Sequence, residues 1–183
     1  MNWLNTLFIL LAAFLAVFWE AAFNGIRHLL GAQIDLLPPL MVYASLTASL
    51  ETVVFLALCG GLWFDSLSAN PLGVSVLPLY LVGLIIFSKR ELILRDQTFA
   101  QLALGLGASA AVPLVTLLLI LTTGRKPLLG WSMIWQWAVM SVGGCILTPL
   151  CFILFRWLNG ALLYGRAPQS SFRPDREIRR GRN

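Results

Sequence analysis

The sequence predicts an all-α integral membrane protein, a bundle of six transmembrane helices. Three observations predict it. Of 183 residues, 58% are hydrophobic and 11% charged, whereas a soluble domain carries roughly 25% charged residues. Six apolar stretches recur along the chain, continuously apolar rather than alternating, which disfavours a β-barrel. No polar block between them is long enough for a soluble domain, so residues 1–160 read as one transmembrane domain and residues 161–183 as a basic tail. No internal repeat of solenoid length is apparent.

The first stretch covers residues 3–23. It has no Lys or Arg before it, is longer than a signal-peptide core, and lacks an A-x-A site, so it reads as a retained helix. A polar, glycine-bearing connection containing His28 follows. The second stretch, 36–50, opens with Pro38-Pro39 near its first turn, where proline is tolerated. The third covers 52–67. The fourth begins at Leu72, with Asn70 as N-cap and Pro71 as first helical residue. The fifth, 99–123, contains Pro113 as a kink. The sixth, 131–158, contains Gly143, Gly144 and Pro149 and opens with Trp131, Trp135 and Trp137, suited to an interfacial belt.

The second and third stretches are short against the roughly 20 residues that a span needs. Fused, they would give five spans. Charge does not choose between the two. Six spans put 10 Lys/Arg inside and 3 outside; five put 11 inside and 2 outside. Glu51 favours six, because it would lie mid-bilayer in a fused helix but near water at a tight hairpin. Both versions place the stretch around Lys89 and the tail in the cytoplasm, where positive charge collects. Seven of the 13 Lys/Arg lie from Arg156 onward. Arg173, Arg176, Arg179, Arg180 and Arg182 suit contact with anionic lipid or a cytoplasmic partner, or serve only as a topology signal. The tail lacks the interleaved aromatics expected of a nucleic-acid site.

Chemistry-bearing motifs are scarce. Glu20, Asp35, Glu51 and Asp65 fall near segment ends. One histidine, no H-E-x-x-H and no G-x-S-x-G argue against an intramembrane hydrolase. Cys59, Cys145 and Cys151 lie in apolar stretches and read as small buried side chains. The sequence therefore predicts neither catalytic residues, cofactor nor metal. Small residues at four-residue spacing mark helix packing: Ala103, Gly107 and Ala111; Ala57 and Gly61; Ala12 and Ala16. Gly60, Gly143, Gly144 and Pro149 join that set. Asp65 falls at the C-terminal end of the third helix, the unfavourable end of its dipole. Compensation is expected from water, Ser66 or Ser68, or a partner's cation; alternatively Asp65 only marks the water boundary.

"DLLPPLMVYASL" followed by "ALCGGLWFDSLSANPLGVSVLPLYLVGLIIF" resembles the rod shape-determining protein MreD family. Asp35, Gly60, Gly61, Asp65, Leu72 and Gly73 occupy that family's characteristic places, and "TPLCFILFRWL" is similar to its final span. The resemblance covers roughly residues 35–158. One departure is "SLETV", where members often carry a basic or Gly/Pro turn.

The resemblance implies a fold similar to the six-helix S components of energy-coupling-factor transporters. It implies a non-enzymatic scaffold in the bacterial cytoplasmic membrane, supporting sidewall peptidoglycan synthesis and rod shape. Its partners would be an MreC-like single-span coiled-coil protein, with RodA and a class B penicillin-binding protein in the same complex. Asp65, Asn70, Pro71 and Gly73 would then form either a partner-binding surface or a structural turn. The rival expectation is a small-solute-binding subunit of an energy-coupling-factor-type transporter. Few polar groups fall within the spans to line a solute pocket: Gln101, Ser109, Thr116, Gln136, Ser141 and Thr148.

Overall fold

The computed structural model describes residues 3–22, 31–68, 71–93, 97–122 and 130–163. Among them are six helices: α1 (Trp3–Ala22), α2 (Leu37–Thr47), α3 (Leu50–Leu67), α4 (Val76–Lys89), α5 (Thr98–Thr122) and α6 (Trp131–Leu163). By length and composition α1, α3, α5 and α6 can each cross a membrane, while α2 and α4 are shorter. Large apolar side chains face outward along the long helices, among them Leu11, Phe18, Leu62, Leu118 and Ile153. A surface of that kind requires lipid around it. The chain is a multi-pass, all-α membrane protein.

The second and third stretches are separate helices, not one. Ala48 is extended and caps α2 through its N–H to the Ala44 carbonyl, and Ser49 is extended at the start of α3. Glu51 is exposed in the first turn of α3. The second helix is shorter than expected, at 11 residues, or ~17 Å. It is apolar on every side and buried from Leu37 to Leu46, as a helix without a polar face must be. It packs against all five other helices. Thus α2 is the axis of the bundle rather than one of its lipid-facing staves. Tyr43 stacks on Phe155 of α6 at 4.4 Å.

Two boundaries differ from the sequence expectation. α4 starts at Val76, not Leu72. Pro71 is a turn residue whose carbonyl accepts the N–H of Val74. The proline in the first turn of α4 is Pro78, whose missing N–H costs nothing there. At the other end, α6 runs to Leu163, a 33-residue helix.

Helix direction defines two ends. One carries Glu20, Asp35 and Asp65 and is called here the carboxylate end. The other carries the α2–α3 hairpin with Lys89 and Arg90. Arg90 donates to the Ala48 carbonyl at 3.3 Å, at the negative end of the α2 dipole. The cation that meets the hairpin thus comes from α4 rather than from the "SLETV" turn itself.

Candidate functional site

At the carboxylate end, three acidic side chains hold two helix N-termini. The first turn of a helix leaves four backbone N–H groups without helical partners. In α2, Pro38 and Pro39 have no N–H. The remaining two are the N–H groups of Leu36 and Leu37. Leu36 donates to Glu20 Oε1 of α1, and Leu37 donates to Asp35 Oδ1 at 2.9 Å. The first helical bond, from Leu40 to the Leu36 carbonyl, follows directly. A buried helix start is thereby satisfied in full by two prolines and two carboxyl groups. Asp35 is 6% exposed. Burial pushes its carboxyl up to about 6, against the opposing pull of the Leu37 N–H.

Asp65 is the third acid. It is 2% exposed, so it does not mark the water boundary. Its Oδ2 accepts the N–H of Gly73 at 2.8 Å and that of Ser75 at 3.1 Å. Ser75 is the N-cap residue of α4. The expected compensation therefore comes from neither Ser66 nor Ser68. A carboxyl badly placed for the dipole of α3 is well placed for the dipole of α4. Gly73 has φ of +90° and open space where a Cβ would stand. It supplies left-handed backbone for this turn, not close helix approach. Asp65 Oδ1 is buried without a hydrogen-bond partner. Pro71 and Gly73 are half-buried, while Leu67 and Leu72 stand out on either side of the turn, 58% and 71% exposed. Asn70 lies outside the described residues, as do His28, Arg173, Arg176, Arg179, Arg180 and Arg182.

The packing glycines divide. A Cβ on Gly60 would stand 3.1 Å from Leu37 of α2, and one on Gly61 would stand 2.8 Å from the backbone of Val76 in α4. These two glycines clamp α3 against the helices that the acids cap. Gly143 meets Ile34, and Gly144 meets Ser109 of α5. Gly107, by contrast, faces open space, and Ala103 is exposed. The stripe of α5 that is buried is Gln101, Gly105, Ala108, Ser109 and Val112. Gly105 is the position that meets Thr148 and the Gly144 carbonyl. Gly83 of α4, outside the small-residue set that spacing marks, lies against Met41 and Val53. Polar Gln101 and Ser109, at helical spacing from Gly105, were the signal for the correct face. Pro149 is half-buried inside α6.

Beside Asp35 the helices part. A cavity of about 240 Å³ is lined by Asp35, Ser75, Thr116 and Gln136 together with apolar side chains of α4, α5 and α6. A larger groove of about 340 Å³ lies between α5 and α6, lined by Leu114, Ile134 and Trp137 among others. Pro113, Leu117, Met133, Gln136 and Met140 line both. Pro113 removes the helical donor to the Ser109 carbonyl, and Trp137 Nε1 donates across to the adjacent Ala110 carbonyl at 3.0 Å. Among the described residues no cluster of three His, Cys, Asp or Glu is placed to hold a metal ion. In comparison with known proteins, no family model, no curated protein and no solved structure matches the chain.

Proposed function

We propose that this chain is a non-enzymatic scaffold subunit of the bacterial elongation complex, similar in role to MreD-type proteins. It binds an MreC-like single-span coiled-coil protein and supports RodA and a class B penicillin-binding protein in sidewall peptidoglycan synthesis. In this reading the carboxylate end faces away from the cytoplasm, and Lys89, Arg90 and the basic tail face into it.

One observation carries the reading. Five of the residues that carry the resemblance, Asp35, Gly60, Gly61, Asp65 and Gly73, form one connected unit instead of being scattered through the bundle. Asp35 holds the start of α2, Gly60 receives Leu37 from that start, Gly61 receives Val76 from the start of α4, and Asp65 ties that same helix through Gly73 and Ser75. The unit fixes the turn that displays Leu67 and Leu72. Those two apolar side chains, rather than the buried Asp65, are the surface offered to a partner's membrane helix or the root of its coiled coil.

The cavity beside Asp35 favours a second reading, a solute-binding subunit of an energy-coupling-factor-type transporter. Ser75, Thr116 and Gln136 converge there with the carboxyl group. Affinity purification of the tagged protein from native membranes in mild detergent separates the two. Recovery of a coiled-coil single-span protein, lost in a Leu67→Ser/Leu72→Ser variant, supports the scaffold. Recovery of a transmembrane energy-coupling subunit with paired ATPases overturns it.

A further inference from the structure

We propose that the carboxylate end binds one membrane lipid bearing a primary-ammonium headgroup, with the headgroup against Asp35 and an acyl chain in the groove between α5 and α6. The site goes beyond the scaffold reading and does not depend on it. The cavity's polar wall carries the Asp35 carboxyl with Ser75, Thr116 and Gln136, each of which can accept a hydrogen bond. Asp35 is its only charged side chain among the described lining residues, and its carboxyl has acceptor capacity beyond the one bond to Leu37. Thr116 spends its hydroxyl hydrogen on the Val112 carbonyl at 2.9 Å, so it too turns only lone pairs to the cavity. An ammonium group brings three donors and the matching charge. A headgroup of phosphate alone finds no cation among these side chains.

The adjoining groove supplies the reason for a lipid rather than a free solute. Leu114 and Ile134, 50% and 57% exposed, form its rim, so it opens sideways among acyl chains. Leu114 lies eight residues from the end of α5, roughly 12 Å below it at the helical rise, so the groove runs from the carboxylate end toward the middle of the bundle. The five residues shared by cavity and groove make the two parts one amphipathic site.

Native mass spectrometry of the full-length protein, stripped in detergent and supplied with single defined lipids, tests this. The probes are phosphatidylethanolamine, phosphatidylglycerol (no ammonium) and phosphatidylcholine (an ammonium without N–H donors), with free ethanolamine as competitor. Phosphatidylethanolamine is expected to be retained roughly tenfold better than either other lipid, the size of one charge-assisted hydrogen bond. Asp35→Asn, which still accepts the Leu37 N–H, is expected to erase that preference while leaving phosphatidylglycerol retention unchanged. Thr116→Val, which keeps the side-chain shape, is expected to reduce the preference by a smaller factor. Equal retention of the three lipids by the wild-type protein overturns the proposal, as does a preference that survives both substitutions. Displacement of phosphatidylethanolamine by an equal concentration of free ethanolamine also overturns it, since the site would then take the head alone.

Discussion

α5 and α6 form one antiparallel pair with two unlike halves. Toward the basic end the pair is shut: Gly105 lies against Thr148 and the Gly144 carbonyl, Gly144 lies against Ser109, and Thr148 turns its hydroxyl onto Gly144. Toward the carboxylate end a groove opens between the same two helices around Pro113, Leu117, Met133 and Met140, and these residues also line the cavity beside Asp35. Helix direction is the same throughout, so side-chain size decides. Glycine and hydroxyl residues let backbones touch without hydrocarbon between them. Proline, leucine and methionine hold them apart without filling the gap.

The strongest way to break this comparison is to enlarge the shut half. Gly144→Leu has no room against Ser109 and Gly105, and overpacking of this kind costs about 1–3 kcal/mol or more. The expected result is loss of the monodisperse protein in size-exclusion chromatography. Met140→Ala in the open half removes atoms instead of adding them, and only from a cavity wall. It is expected to leave the elution profile intact, with a destabilisation of about 1 kcal/mol in thermal unfolding, below the usual buried-methionine range.

Asp65→Ala is the next largest effect. It leaves the N–H groups of Gly73 and Ser75 without their acceptor at a buried turn, a loss of roughly 2–3 kcal/mol. A lower melting temperature in detergent checks it, and Asp65→Asn, which keeps an acceptor, is expected to recover most of the difference.

Asp35 gives a smaller, pH-dependent effect. Its folded-state value, about 6, lies above the ordinary carboxyl value of 3.8. The unfolded chain therefore releases the proton first, and stability falls as pH rises from about 4 through about 6. Melting temperatures across that range are expected to decline less steeply in Asp35→Asn than in the wild type.

The smallest effect has the opposite sign. Gly107 faces open space, so Gly107→Ala is expected to stabilise α5 by about 0.5–1 kcal/mol through helix propensity alone, a small rise in melting temperature. Gly105→Ala at the shut face is expected to destabilise. Equal effects at the two positions would erase the distinction between the faces of α5.

The helices themselves were legible in the sequence, because long apolar runs leave few alternatives. Glu51 marks the break between α2 and α3, because a carboxylate is costly in the middle of a fused span. The burial of α2 is legible in principle from its all-round apolar composition, although its length alone suggests only a short span. Four-residue spacing chose the wrong face of α5: in "ALGLGASAA" Gly105 and Gly107 lie on opposite sides, and only the polar neighbours Gln101 and Ser109 tell them apart. Asp35 accepts the N–H two residues on, a local turn bond that an Asp just before a helix start makes legible in principle. The roles of Glu20 and Asp65 were not legible. Each serves a backbone N–H that tertiary packing brings to it: Asp65 reaches 8 and 10 residues along the chain, and Glu20 reaches 16. No local pattern encodes such a cap. Proline at 38, 39 and 78 leaves a trace of it, since each removes one N–H that a carboxyl would otherwise have to satisfy.

The central claim, that one helix pair is shut at one end and open at the other, is tested most directly by thiol labelling of two near-isosteric variants. Ser109→Cys and Thr116→Cys are made in a background where Cys59, Cys145 and Cys151 are replaced, and lipid-stripped protein is exposed to a small maleimide in detergent. The account predicts rapid labelling at position 116 and protection at position 109. Equal labelling at both positions, or protection at 116 with labelling at 109, would contradict it.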